Sequence, residues 1–284
     1  MIHIQGMGAL GVQVAWELLD LAEDFTWSDT EETHTAWHCS TGIVYPSGSA
    51  RDLDGLQWWL DAIDMGHYAA EFAQRAPYIF AHKAPPHGGR YHFQELGNGL
   101  RQAELDSVAV NVPEMVQTTR ERLAARRTDG PAPDDIVIHA YADPERLQGY
   151  LWGWAARVRF DGPVPGELVT YYAKAHRFNL TYAYPIPGTG QWWAGSTLLH
   201  QRHAAERNAD RYVDEWLGNA ERLLHLENIQ VDTVEQGWRP RRAETENEAR
   251  RSDDGKHFWL APEPTSGLRH GPHIVADLMG RMGL

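Results

Sequence analysis

Residues 1–20 read MIHIQGMGALGVQVAWELLD, and the glycines at positions 6, 8 and 11 decide the fold. Met1 to Gln5 is short, carries two isoleucines and stops at glycine, as a buried strand of a parallel sheet does. Beyond the glycines, Val12, Ala15, Trp16 and Leu19 recur at helical spacing, so a helix is expected from about Ala9. Gly6 permits the tight turn, Gly8 leaves room for a pyrophosphate against the backbone, and Gly11 lets helix and strand pack closely. The helix N-terminus adds bare N–H groups and a partial positive charge. Phe25 to Asp29 then reads as a second short strand that ends in a carboxylate. It lies roughly 20 residues beyond the glycines, where an acid holds a ribose hydroxyl. The segment predicts a dinucleotide site made by Gly6, Gly8, Gly11 and Asp29.

Composition narrows the class around that site. The chain has 284 residues, enough for two modest domains or one large one. Its 26 basic and 39 acidic side chains give a formal net charge of −13, which confers no general attraction for a phosphate backbone. A single cysteine, Cys39, excludes an intramolecular disulfide. No apolar run reaches the ~18 residues that a membrane helix needs, and Ile2-His3-Ile4 does not read as a secretion signal. The expectation is a cytoplasmic protein with no membrane partner. The pairs His34/His38 and His200/His203 have metal-compatible spacing but no third ligand, so no metal is expected. Trp58-Trp59 and Trp192-Trp193 are read as packing residues.

Further along, residues 35–48 read TAWHCSTGIVYPSG, a small-residue loop where a nicotinamide enzyme would continue with plain alternation. Asp54 to Arg75 reads as a helix with Leu56, Trp59, Leu60 and Ile63 on one face. Tyr78 to Phe93 turns to strand-like pieces broken by Pro85-Pro86 and Gly88-Gly89. Ser107 to Arg127 is expected to return to the nucleotide domain as a strand and a helix starting near Pro113. Asp135 to Ala140 is an apolar strand expected to rejoin the parallel sheet, and Leu151 to Thr197 is β-rich and aromatic. A helix is expected at about Ala204 to Leu226, and residues 243–255 read as a charged, solvated loop.

Three late segments carry a more specific signature. They are TYAYPIPGTGQWWAGST (181–197), EQGWRPRRA (235–243) and SGLRHGPHIVADLM (266–279). Their order and spacing resemble the FAD-dependent D-amino-acid oxidase superfamily, and within it glycine oxidase and the FAD domain of tRNA uridine-modifying (methylaminomethyl) enzymes. The resemblance runs from Met1 to about Met279, is loose between residues 50 and 170, and falls on a chain shorter than typical members. It implies an α/β fold: a Rossmann-type FAD-binding domain with a second, mainly antiparallel β-sheet substrate domain. The expected division is 1–77, 105–145 and 237–284 for FAD, against 78–104 and 146–236 for the substrate.

The resemblance also implies roles for particular residues. Arg239, in Gly237-x-Arg239-Pro240, falls where the family pairs an arginine with the substrate carboxylate. A planar guanidinium making two parallel hydrogen bonds suits that task. Tyr182, three residues before Pro185, falls where glycine oxidase places a tyrosine over the substrate, with Tyr184 as its competitor. Arg269 falls in the glycine-rich turn beside the flavin, with Gly267, His270 and Gly271, and a helix starting near Pro272 would point its N-terminus at the flavin. Ser40 and Gly42 fall in the loop that passes the cofactor diphosphate. The implied reaction is oxidation of a glycine-type, N-substituted amine by hydride transfer to flavin, releasing glyoxylate and the shortened amine. Oxygen or another acceptor would reoxidise the flavin. Two alternatives stand beside it: a compact lyase-like enzyme of DNA modification acting on a glycine-modified pyrimidine in nucleic acid, and a non-catalytic flavin-binding redox module.

Overall fold

The computed structural model describes residues 1–29, 37, 42–44, 50–81, 93–103, 107–140, 147–163, 170–176, 179–195, 198–201, 208–242, 249–260 and 267–284. Strand β1 (Ile2–Gln5) lies between β2 (Phe25–Ser28) and β9 (Ile136–His139), parallel to both. Next come β17 (His257–Leu260), parallel to β9, and β16 (Ala249–Arg251), antiparallel at the edge. The strand expected at Asp135 to Ala140 therefore joins the parallel sheet. The charged loop expected at 243–255 instead contains the edge strand β16, whose Ala249 is buried while Arg250 and Arg251 face solvent.

Alternation in β1 explains how this sheet is covered. Ile2 and Ile4 point into the core, in register with Phe25 and Trp27 on β2. Helix α1 (Ala9–Asp20) buries Leu10 through Trp16 and Leu18 against that face. Helices α2 (Ala50–Met65), α3 (Val112–Arg122) and α5 (Gly267–Met282) complete the same core. The opposite face is polar at its centre: His3 is fully buried, with Nδ1 2.8 Å from Thr26 Oγ1 and Nε2 2.9 Å from Ser28 Oγ.

Two sequence expectations shift here. The helix expected over Asp54 to Arg75 ends at Met65, and Tyr68–Phe72 forms a 3₁₀ turn followed by β4 (Ala73–Arg75). Gly66 at φ +68° stops the helix, because L side chains rarely adopt that backbone. Strand β8 (Val108–Val110) does not enter the parallel sheet. It pairs antiparallel with β3 (Ile43–Val44) and β4 in a separate three-stranded sheet. Helix α3 nevertheless packs on the first core, capped by Asn111 and opened by Pro113.

A second, larger sheet holds the other core. Strand β10 (Leu147–Asp161) runs antiparallel along β15 (Glu227–Arg242). Its other edge meets β14 (Leu198–Gln201) and then β13 (Gln191–Gly195). Beyond β13 lie β12 (Asn179–Ile186), β11 (Thr170–His176), β5 (Tyr78–Ala81), β7 (Leu100–Ala103) and β6 (Phe93–Gly97). Every pairing is antiparallel except β11 with β5. Trp152, Trp154, Ala156 and Val158 of β10 face helix α4 (Asp210–Leu224), which answers with Val213, Trp216, Ala220 and Leu224. The Trp216 indole donates to the Tyr182 carbonyl at 2.9 Å, fixing α4 to β12. The helix begins at Asp210, six residues later than the sequence reading places it.

Candidate active site

The glycine turn has the features that a dinucleotide needs. Gly6 sits at φ +97° and its N–H donates to the Ser28 carbonyl at 2.9 Å, so the chain leaves β1 in a turn that a side chain would strain. A methyl group on Gly11 would lie 2.1 Å from the Gly6 carbonyl oxygen, which fixes Gly11 by close packing of helix on turn. Gly8 is the N-cap of α1, where no side chain caps the helix, and the first turn carries no acid. The N–H groups here have no side-chain cap, and the positive end of the helix dipole faces the turn, which suits this end to an anion.

Asp29 stands beside that turn, at the end of β2. Its Oδ2 accepts from the Met7 N–H at 3.1 Å and from Nη2 of Arg120, a residue of α3 that sequence reasoning missed. Arg120 also donates through Nε to the Met7 carbonyl at 3.0 Å, and its guanidinium lies 4.8 Å from the centre of the Trp37 ring. The two partners stand 91 positions apart in sequence, so no local pattern marks Arg120. Gly42, at φ +57°, is explained by packing: a methyl there would lie 1.9 Å from the Val110 carbonyl oxygen. Ser40 lies outside the described residues, as do His34, His38 and His203.

The C-terminal helix begins earlier than its sequence suggests. Gly267, Arg269, His270 and Gly271 are the opening turns of α5 rather than a turn before it, and Pro272 lies inside the helix. A proline there removes the N–H that would bond the carbonyl four residues back, that of Leu268. The buried Trp59 indole donates to that carbonyl at 3.0 Å and takes its place. Gly271 brings α5 against α1, since a methyl group there would lie 2.3 Å from Gln13 Oε1. His270 is buried. Of Arg269 and Gly267 the structure describes the backbone.

The second sheet presents its other face away from α4. In ladder order, Tyr182 of β12 pairs with Gly195, Gly195 falls level with Ala155 of β10, and Ala155 pairs with Glu235 of β15. One row higher stand Tyr184, Trp193, Arg157 and Thr233. The Tyr182 and Tyr184 rings stack at 4.3 Å with an interplanar angle of 6°. Tyr184 is buried and Tyr182 half-buried, its phenol lying over Gly195, where an added methyl would approach the hydroxyl to 2.3 Å. Arg157 lies 5.0 Å over the Trp193 ring with Nη2 3.6 Å from Glu235 Oε1. Burial pushes the Glu235 carboxyl above the usual carboxylate range, and Arg157 pulls it back down. The backbone of Arg239 pairs with Leu151, four ladder positions from Glu235, so its register position has the parity of the Tyr182 row. Described residues contain no group of three side chains able to hold a metal and no helix long and apolar enough to cross a membrane.

The chain thus combines a sheet that carries the glycine turn with a second, mainly antiparallel sheet packed on helix α4. The fold is that of glycine oxidase. Iminodiacetate oxidase from Chelativorans sp. superimposes with a TM-score of 0.74 at 13% identity, covering 99% of this chain and 95% of that one. Glycine oxidase from Bacillus cereus superimposes with a TM-score of 0.75 at 11% identity, covering 99% and 94%. Glycerol-3-phosphate dehydrogenase from Bacillus halodurans, a structure complexed with FAD, gives 0.62 at 13% identity, covering 100% and 65%. No protein-family model matches the sequence, and a search of curated proteins finds no match. At 11–13% identity, these matches show a shared fold.

Proposed function

We propose that this chain is an FAD-dependent oxidase or dehydrogenase of a glycine-type amine. The reading is carried by a fold match that spans 99% of the chain, taking in both the dinucleotide turn and the sheet strand that bears Arg239. The turn fits the cofactor: positive φ at Gly6, an uncapped α1 N-terminus and Asp29 at the end of β2. The two buried cores support the division into an FAD unit (1–77, 105–145 and 237–284) and a substrate unit (78–104 and 146–236). When bound, FAD supplies a hydride acceptor for the carbon next to nitrogen. This chain supplies orientation. Arg239 pairs with the substrate carboxylate, Tyr182 covers the bound amine, and Arg269 stands beside the flavin.

An N-substituted glycine is the substrate class this reading favours. Iminodiacetate, the molecule that names one structural neighbour, is itself a glycine carrying a second carboxymethyl group on nitrogen. Oxidation of such an amine gives an imine, and water then releases glyoxylate and the shortened amine. The formal charge of −13 opposes a nucleic-acid polymer, so the free amine is preferred.

The test compares flavin reduction under anaerobic conditions by an N-substituted glycine and by its amide. Wild type reduces faster with the acid. Removing a charge-assisted contact costs roughly 1.5–3 kcal/mol, so Arg239→Ala lowers kcat/KM for the acid about tenfold to a hundredfold. It leaves the amide nearly unchanged. Arg239→Lys recovers part of the loss, since an ammonium cannot make two parallel bonds. Equal rates with acid and amide in wild type would sink the carboxylate assignment.

A further inference from the structure

Asp29 poses an electrostatic problem for the turn it serves. A carboxylate stands hydrogen-bonded to the Met7 N–H, inside the turn that must attract a diphosphate. Left uncompensated, its negative charge opposes the phosphates across a few ångströms in a partly buried setting, Asp29 being 14% exposed. The structure supplies the compensation. Met7 donates to Asp29 Oδ2, Arg120 Nη2 donates to the same oxygen, and Arg120 Nε returns to the Met7 carbonyl at 3.0 Å. These three bonds close a ring that ties the turn, the end of β2 and helix α3 together. The Trp37 ring, 4.8 Å from the guanidinium, sits 3.5 Å from where a Gly8 methyl would stand. Arg120 is therefore aligned along the turn itself.

We propose that Arg120 is a cofactor-positioning residue: it neutralises and orients Asp29 so that one turn accepts both a ribose and a diphosphate. The inference rests on the FAD reading above. It is distinct from simple stapling of α3, because other side chains already fasten that part of the fold. Arg122 pairs with Glu71, the Trp27 indole donates to the Leu123 carbonyl at 2.8 Å, and Arg126 donates to the Phe25 carbonyl at 3.3 Å.

The experiment titrates full-length apoprotein with FAD, ADP and adenosine, following flavin fluorescence and, for the two fragments, displacement of FAD. Arg120→Met is expected to raise the Kd for FAD about tenfold to a hundredfold, the range for one charged hydrogen-bonded partner. The loss is larger for ADP than for adenosine, which carries no phosphate, and shrinks as salt rises. Adding Asp29→Asn to Arg120→Met recovers most of the lost ADP affinity, because the uncompensated charge is gone. Arg120→Lys keeps the charge and retains most of the affinity, and it carries the test if the methionine variant fails to fold. Equal losses for ADP and adenosine, an unchanged Kd for FAD, or a lysine variant as weak as methionine overturns the inference while the FAD reading stands. A wild-type protein that binds no FAD overturns both.

Discussion

Gly8 and Gly11 stand three residues apart, yet close packing fixes only Gly11. A methyl on Gly11 would press on the backbone oxygen of Gly6, which has no flexible end to yield. Gly11→Ala is therefore expected to cost about 1–3 kcal/mol of stability, read from urea unfolding. At Gly8, φ is −78° and the nearest atom to an added methyl is Trp37 Cδ1 at an ordinary 3.5 Å. Gly8→Ala is expected to stay within about 1 kcal/mol of wild type while losing most of its FAD, because its methyl stands in the phosphate's path. Equal stability loss in both variants would remove that distinction. These glycines were legible in the sequence because turn, helix and acid follow one another within thirty residues. Arg120 was not, since its partners belong to another stretch of chain and an arginine late in a helix carries no periodic mark. Gly42 marks a different limit, because the small-residue pattern that suggests a cofactor loop also fits tight packing against Val110.

Among the elements, α5 holds the clearest local conflict and its resolution. Its sequence places a proline where the helix is continuous, and the freed Leu268 carbonyl is met by Trp59 from α2. Trp59→Phe keeps most of the ring but removes the N–H, leaving a buried carbonyl without that bond. Stability should fall by about 1–3 kcal/mol. In the Pro272→Ala background the backbone N–H is restored, so the same tryptophan change should cost clearly less. Additive losses in this double-mutant cycle would show that the indole does not stand in for the N–H that Pro272 removes. The proline explains why the helix start was misplaced: sequence rules put proline in the first turn, and they hold unless a distant side chain takes over the orphaned acceptor. Similarly, the apolar face of α2 was plain from Leu56, Trp59, Leu60 and Ile63, whereas its end at Gly66 was hidden by more apolar residues beyond it. Strand β8 was visible as a strand. Its sheet was not, because three residues of Val-Ala-Val say nothing about which partner they find.

At the scale of the whole molecule, the polar centre of the parallel sheet was not legible from periodicity. His3 falls in a strand whose isoleucines announce burial, and alternation puts it on the face opposite them. There it is enclosed, and burial holds its imidazole below the ordinary histidine value of 6.5, with Asp135 pulling weakly the other way. Thr26 and Ser28 satisfy the neutral ring, since a hydroxyl serves as donor or acceptor. The unfolded chain therefore binds a proton that the folded chain resists. With the folded pKa depressed, the contribution is neutral to stability above about pH 6.5, and stability is lost as pH falls below it. The loss continues until pH drops through the folded value. A net charge of −13 changes over the same range, so the slope of the wild type alone does not isolate His3. Urea unfolding of wild type and His3→Gln in parallel, from pH 8 down to about pH 5, removes the shared background. His3→Gln is expected to lose less stability on acidification than wild type, with the two curves converging in slope above about pH 7. Parallel curves throughout would mean that the histidine is protonated as readily in the fold as outside it, and that the sheet centre admits water.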